Sequence, residues 1–209
     1  MNFKWDGKGW SIFCLTVVFF SFFGRIPLAA ASEPMEVVKG TIDEVVRILK
    51  DPALGQPGRK EERRALLEKI ISARFDFTKM AKRSLAAHWR ERSPAEQKEF
   101  IHLFEKLLEN SYLGKIEGYT DEKVVYTRER LDGDFAEVKT KILRKGDEIP
   151  IDYRLFRIGS DWRVYDIVID GVSLVNNYRS QFNKIIRSGS YEELVQKMRA
   201  KRDEIALTP

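Results

Sequence analysis

Few side chains in this sequence have types and spacing suited to chemistry. Asp166 and Asp170 flank Ile167-Val168-Ile169. Acids near the end of a curved sheet can act as general bases in small cone-shaped folds, and Tyr126 and Tyr153 could place hydroxyls in the same pocket. On the structural reading the acids end a strand, pair with arginine or cap the next helix, and the tyrosines are core residues with satisfied hydroxyls. His88 and His102 sit on predicted helices beside large apolar residues. They are not spaced as paired helical ligands, and no cysteine or acidic cluster accompanies them, so no metal site is expected. There is no phosphate-cradling glycine loop, no nucleophile elbow and no recognisable catalytic set.

The 209 residues are 43% hydrophobic, 33% charged and 11% aromatic, which excludes collagen-like, low-complexity and wholly disordered classes. The 37 Lys and Arg against 32 Asp and Glu leave a formal charge of +5. Both signs are interspersed, so the surface is mildly basic and no nucleic-acid partner is expected. Lys4 and Lys8 precede an uncharged run from Ser11 to Phe23, and Ala29-Ala30-Ala31 supplies small residues for cleavage. The run is too short to span a bilayer and fits a signal peptide over residues 1–31, so the expected location is an exported, periplasmic one. Cleavage after Ala31 would leave one domain over residues 32–209 and remove Cys14, the only cysteine. Stability must then come from a core, without disulfides.

Helical spacing of Val38, Ile42, Val45, Val46 and Leu49 predicts a first helix ending at Asp51-Pro52. A second helix spans about Arg59 to Ile71. Asp76 is the expected N-cap of a third segment reaching Trp89. Ser93-Pro94-Ala95-Glu96 reads as a capping box opening a helix that carries Phe100 and Phe104 and ends at Gly114. Past Gly118 the apolar period changes to two. Strands then follow one another through turns at Asp132-Gly133, Lys145-Gly146-Asp147 and Gly159-Ser160, and the last runs from Trp162 to about Ile169. Two more helices start near Ser173 and at a second capping box, Ser190 to Glu193. The expected class is α+β: a four-stranded or larger antiparallel curved sheet with helices packed on its apolar face. Phe100, Phe104, Tyr112, Tyr126, Tyr153, Trp162, Tyr178 and Phe182 would point into the space between, forming either a solid core or an apolar cavity.

Several of these segments resemble the MlaC family of periplasmic phospholipid shuttles, also called toluene-tolerance proteins. They are Phe75-Asp76-Phe77 with Trp89, the Ser93 to Glu96 helix start, and Trp162 to Asp166 leading through Asp170-Gly171-Val172-Ser173-Leu174 to Tyr178-Arg179-Ser180-Gln181-Phe182. The likeness runs from about Val37 to Arg199. It implies a sheet resembling the nuclear-transport-factor-2 fold and a lipid-sized cavity holding glycerophospholipid as cargo, with no cofactor. It also implies exchange with an inner-membrane ABC transporter complex and an outer-membrane lipoprotein–porin complex. The chain itself is expected to be a monomer.

Combining the resemblance with the periodicities, the expected lipid-binding residues are Phe104, Tyr126, Val138, Ile151, Tyr153, Leu155, Trp162 and Phe182. No residue is expected to be catalytic. The competing readings are a small hydrolase or isomerase using Asp166 with Tyr153, and a protein-binding adaptor with a filled core. Apolar walls hold acyl chains by burial at about 0.8 kcal/mol per CH₂, so the carrier needs no charged group inside its pocket.

Overall fold

The computed structural model describes residues 33–144 and 146–206. The segment read as a signal peptide, Cys14 and Lys145 of the second turn lie outside the described residues. Six α-helices and a five-stranded sheet follow in the order helices, strands, helices: α1 Pro34–Leu49, α2 Lys60–Arg74, α3 Phe77–Leu85, α4 Pro94–Glu117, β1 Lys123–Asp132, β2 Phe135–Arg144, β3 Asp147–Ile158, β4 Asp161–Ile169, β5 Val172–Ser173, α5 Leu174–Ser188 and α6 Tyr191–Ala206.

The local signals act where the sequence puts them. Asp76 caps α3 by accepting from Lys79 N at 2.6 Å. At the start of α4, Glu96 N donates to Ser93 Oγ and Ser93 N donates to Glu96 Oε2 at 2.7 Å, the reciprocal pair that satisfies two free donors. Two boundaries differ from expectation. The segment after Asp76 is broken at Ala86, whose φ of 51° cannot continue a helix, and only a 3₁₀ stretch, Ala86–Glu91, carries the chain past Trp89. In α4, Gly114 does not end the helix, which runs on to Glu117. Leu113 is buried against Ile48, Leu54 and Leu67, and Glu117 binds Arg63 and Arg64, so packing outweighs the about 1 kcal/mol that a mid-helix glycine costs.

The sheet is a meander in the order β1-β2-β3-β4-β5, antiparallel throughout. The fifth strand, within the expected four or more, pairs with β4 through a turn in which Asp170 and Gly171 both have positive φ, the geometry two-residue hairpins favour. One face is apolar and carries Ala136, Val138, Leu155, Trp162 and Val164. The other carries charge pairs across strands: Lys139 to Asp152 at 2.9 Å, Lys141 to Glu148 at 2.7 Å and Arg154 to Asp166 at 3.1 Å.

The core divides into three clusters. Phe77, Met80, Leu85, Phe100, Phe104, Tyr178, Phe182 and Leu194 fill the space between α3, α4, α5 and α6. The apolar sheet face packs on Val38, with Met35, Val37 and Ile42 of α1 around it. Ile48, Leu54, Leu67 and Leu113 join α1, α2 and α4. The eight aromatics expected to share one space are therefore separated. Phe100, Phe104, Tyr112, Tyr178 and Phe182 belong to the helical cluster, whereas Tyr126, Tyr153 and Trp162 belong to the sheet. The reason is that α5 and α6 find apolar partners in α3 and α4, which leaves α1 as the helix over β1 and β2.

Candidate functional site

The apolar face of the sheet is built by cross-strand register. Tyr126 of β1 lies opposite Thr140 of β2, and Thr140 lies opposite Ile151 of β3. Val138 lies opposite Tyr153, and Leu155 is paired with Ala136 on one side and Val164 on the other. Six of the eight expected site residues, Tyr126, Val138, Ile151, Tyr153, Leu155 and Trp162, thus come onto one face. Val138 and Leu155 are fully buried there, while Tyr126, Ile151 and Tyr153 are half-buried. Phe104 and Phe182 are not among them. Their rings meet edge to face at 5.8 Å inside the helical cluster, where Phe100 and Tyr178 close around them.

The two tyrosines place phenols in this apolar face. Burial pushes the Tyr153 phenol well above its ordinary value, and the neighbouring Tyr126 adds to the effect. Burial likewise pushes Tyr126 up to about 12, helped by the carboxylates of Asp43 and Glu36 on α1. Both are neutral donors at physiological pH. The Tyr126 hydroxyl is buried without a hydrogen-bond partner among the described residues.

Asp166 and Tyr153 do not converge. A bulge in β4 leaves Tyr165 between Val164, which pairs with Leu155, and Asp166, which pairs with Arg154. The extra residue turns Asp166 onto the face opposite Tyr153. There its carboxylate accepts from Arg154, from Ser173 Oγ at 2.7 Å and from Val175 N at 3.1 Å, which fastens β4 to the start of α5. Asp170 sits in the β4–β5 turn, with its N–H donated to Pro150 O. The Asp166 carboxylate is thus taken up by bonds that hold the fold together. Among the described residues no group of three or more potential metal ligands occurs, and His88 instead meets Asn183 at 3.2 Å.

Beside the sheet, α1 and α2 enclose an open cleft of about 550 Å³. Ile48, Leu54, Leu66, Ile70 and Ala73 form its apolar floor, and Arg47, Arg59, Lys69 and Arg74 share the rim with Glu44, Asp51 and Glu62. Arg74 is anchored to Asp161 and to Trp162 O, so the rim is tied to the start of β4. On its other side α2 meets α4 through polar bonds: Arg63 and Arg64 to Glu117, Lys106 to Glu68, and Ser72 to Glu105. Burial acts against the Glu117 carboxylate, but the two arginines outweigh it and hold its pKa below the ordinary value.

An apolar sheet face under α1 and Phe75, with a charge-rimmed cleft alongside, suits an amphiphile better than a reacting group. The family described as MlaC protein matches residues 39–200, nearly all of the described chain. The chain belongs to the MlaC family. Toluene tolerance protein ttg2D of Pseudomonas putida is 24% identical over 156 residues, covering 73% of each chain. The intermembrane phospholipid transport system binding protein MlaC of Haemophilus influenzae is 24% identical over 120 residues, covering 54% of this chain and 56% of its own. Among solved structures, the phospholipid-binding protein from Ralstonia solanacearum in complex with a phospholipid matches with a TM-score of 0.74 at 27% identity, over 84% of this chain and 99% of its own.

Within this MlaC-family chain, sequence reasoning missed the role of α1 as the cover of the sheet and the cleft it forms with α2. Its two apolar faces, Val38 with Ile42 and Val45 with Leu49, carried the signal, because one helix needs two faces only when it has two partners.

Proposed function

We propose that this protein is an exported carrier of glycerophospholipid that holds acyl chains against the apolar sheet face beneath α1 and shuttles lipid between membrane complexes. One observation carries the reading: a family relative that aligns over most of this chain was solved with a phospholipid bound. The sheet residues Tyr126, Val138, Ile151, Tyr153, Leu155 and Trp162 form the chain-contacting wall, whereas Phe104 and Phe182 support it indirectly by holding the helical cluster rigid. Val138 and Leu155 are fully covered. Entry of chains therefore requires the apolar side chains of α1 to give way.

The carrier is non-catalytic, and its partners are the inner-membrane ABC transporter complex and the outer-membrane lipoprotein–porin complex of the family's pathway. A bilayer already buries acyl chains, so transfer into an equally apolar site changes the hydrophobic term little, and the carrier alone gives transport no direction. The lysines, apolar run and small residues before Ser32 support export with cleavage after Ala31. Native mass spectrometry of protein purified without detergent tests the reading. Added mass matching a glycerophospholipid is expected, with an N-terminus at Ser32; a bare chain that takes up no lipid from vesicles would sink the carrier.

A further inference from the structure

The hydroxyl of Tyr126 is buried on the apolar sheet face with no hydrogen-bond partner among the described residues, a need that a cargo molecule can meet. Thr140, opposite it, already donates its hydroxyl to Ile151 O at 2.8 Å. Glu129, further along β1, accepts from Met35 N at 2.6 Å and so binds the start of α1. Tyr126 itself lies next to a bulge in β1, where the register against β2 shifts before Arg128. Its ring packs in the sheet cluster, while Glu36 and Asp43, both exposed on α1, act on its phenol electrostatically. The hydroxyl therefore stands at the boundary between the buried apolar wall and the acidic outer side of α1.

That position selects the acceptor. A phosphate oxygen is a strong acceptor, but the carboxylates of Asp43 and Glu36 disfavour an anion there. The strong neutral acceptors of a diacyl glycerophospholipid are its two ester carbonyls, which lie where the apolar chains join the polar headgroup. We propose that the Tyr126 hydroxyl donates a hydrogen bond to an ester carbonyl of the bound lipid, so that the site prefers ester-linked over ether-linked glycerophospholipids. The inference rests on the carrier reading and adds a chemical selectivity to it. In the ether-linked lipid a methylene replaces the carbonyl, and the buried hydroxyl is left unmet; a site built to hydrogen-bond a group rejects the analogue that lacks it.

The test gives the full, delipidated protein vesicles holding equal amounts of a diester phosphatidylethanolamine and its di-ether analogue of the same chain length, and reads the bound ratio by mass spectrometry. Wild type should hold the diester in excess by about five- to tenfold, the range set by one net hydrogen bond. Tyr126→Phe keeps the ring and its packing, and should bring the ratio close to one while total uptake persists. The infrared carbonyl band of the bound diester should lie at lower frequency in wild type than in Tyr126→Phe, which a purely structural tyrosine would not produce. Equal binding of both lipids by wild type, or an unchanged preference in Tyr126→Phe, would overturn the inference and leave the carrier reading standing. Uptake of neither lipid would overturn both.

Discussion

The helical cluster and the sheet face are both apolar cores, yet they are finished to different degrees. In the first, Phe100 and Phe104 have no exposed surface, and the rings of Phe100, Phe104, Tyr178 and Phe182 meet one another at 5.4–6.0 Å. In the second, Ile151 and Tyr153 are half-buried, a hydroxyl is unmet and α1 with Phe75 serves as roof. Close packing leaves nothing for a ligand to add, whereas an incompletely covered face can be completed by one. On the proposed carrier function, the aromatic-rich half supplies stability and the half with fewer rings is where the cargo would lie.

The strongest way to break this division is Phe104→Ala. It should destabilise the protein by about 3–5 kcal/mol in denaturant unfolding, while lipid bound per folded molecule stays unchanged. A stable variant that had lost its lipid would place Phe104 in the binding site after all. Asp166→Ala should cost about 1–3 kcal/mol, because Ser173 Oγ, Val175 N and Arg154 lose their acceptor. Wild type incubated with phospholipid vesicles should release neither fatty acid nor lysolipid; steady release that Asp166→Asn abolishes would restore an enzyme.

Ile151→Glu acts on the open side of the comparison. The position is half-buried, so the fold should survive, while co-purified lipid falls about tenfold because a charge now meets the chains. Retained lipid would move the wall elsewhere on the sheet. The smallest effect concerns the α2–α4 seam. Glu117 has its pKa lowered from the ordinary 4.5, so its contribution is present above that value and is lost as pH falls through the lower, folded one. Glu117→Gln should flatten the acid limb of stability against pH by a few tenths of a kcal/mol, as fits a partly solvated pair.

Strands, turns and caps were legible because their causes are local. The box at Ser93 and Glu96, the alternation from Ala136 to Ile142 and the turn at Gly133 each depend on a few neighbouring residues. What a face packs against is not local. The periodicity of α4 and α5 shows that Phe104 and Phe182 point inward, but each helix could equally have met the sheet or the other helix, and α3 and α6 decided it. Asp166 shows a second limit. Strict alternation from Trp162 and Val164 puts it on the apolar face, and one bulged residue reverses it. The cleft was illegible for the same reason as the roof, since it exists only where two helices lie side by side.

The meander also sets an order of folding. Each strand pairs with the next along the chain, so the sheet closes through short loops, whereas α1 is joined to it by contacts such as Met35 N to Glu129, which are 94 residues apart. Loop closure of that length carries an entropic cost that local hairpins avoid. Helix α1 can set its Ile48 side against the nearby α2 early, but its Val38 and Ile42 face must wait for the sheet. In the native protein the same helix should be the earliest to exchange its amide hydrogens, well before β2 and β3 open.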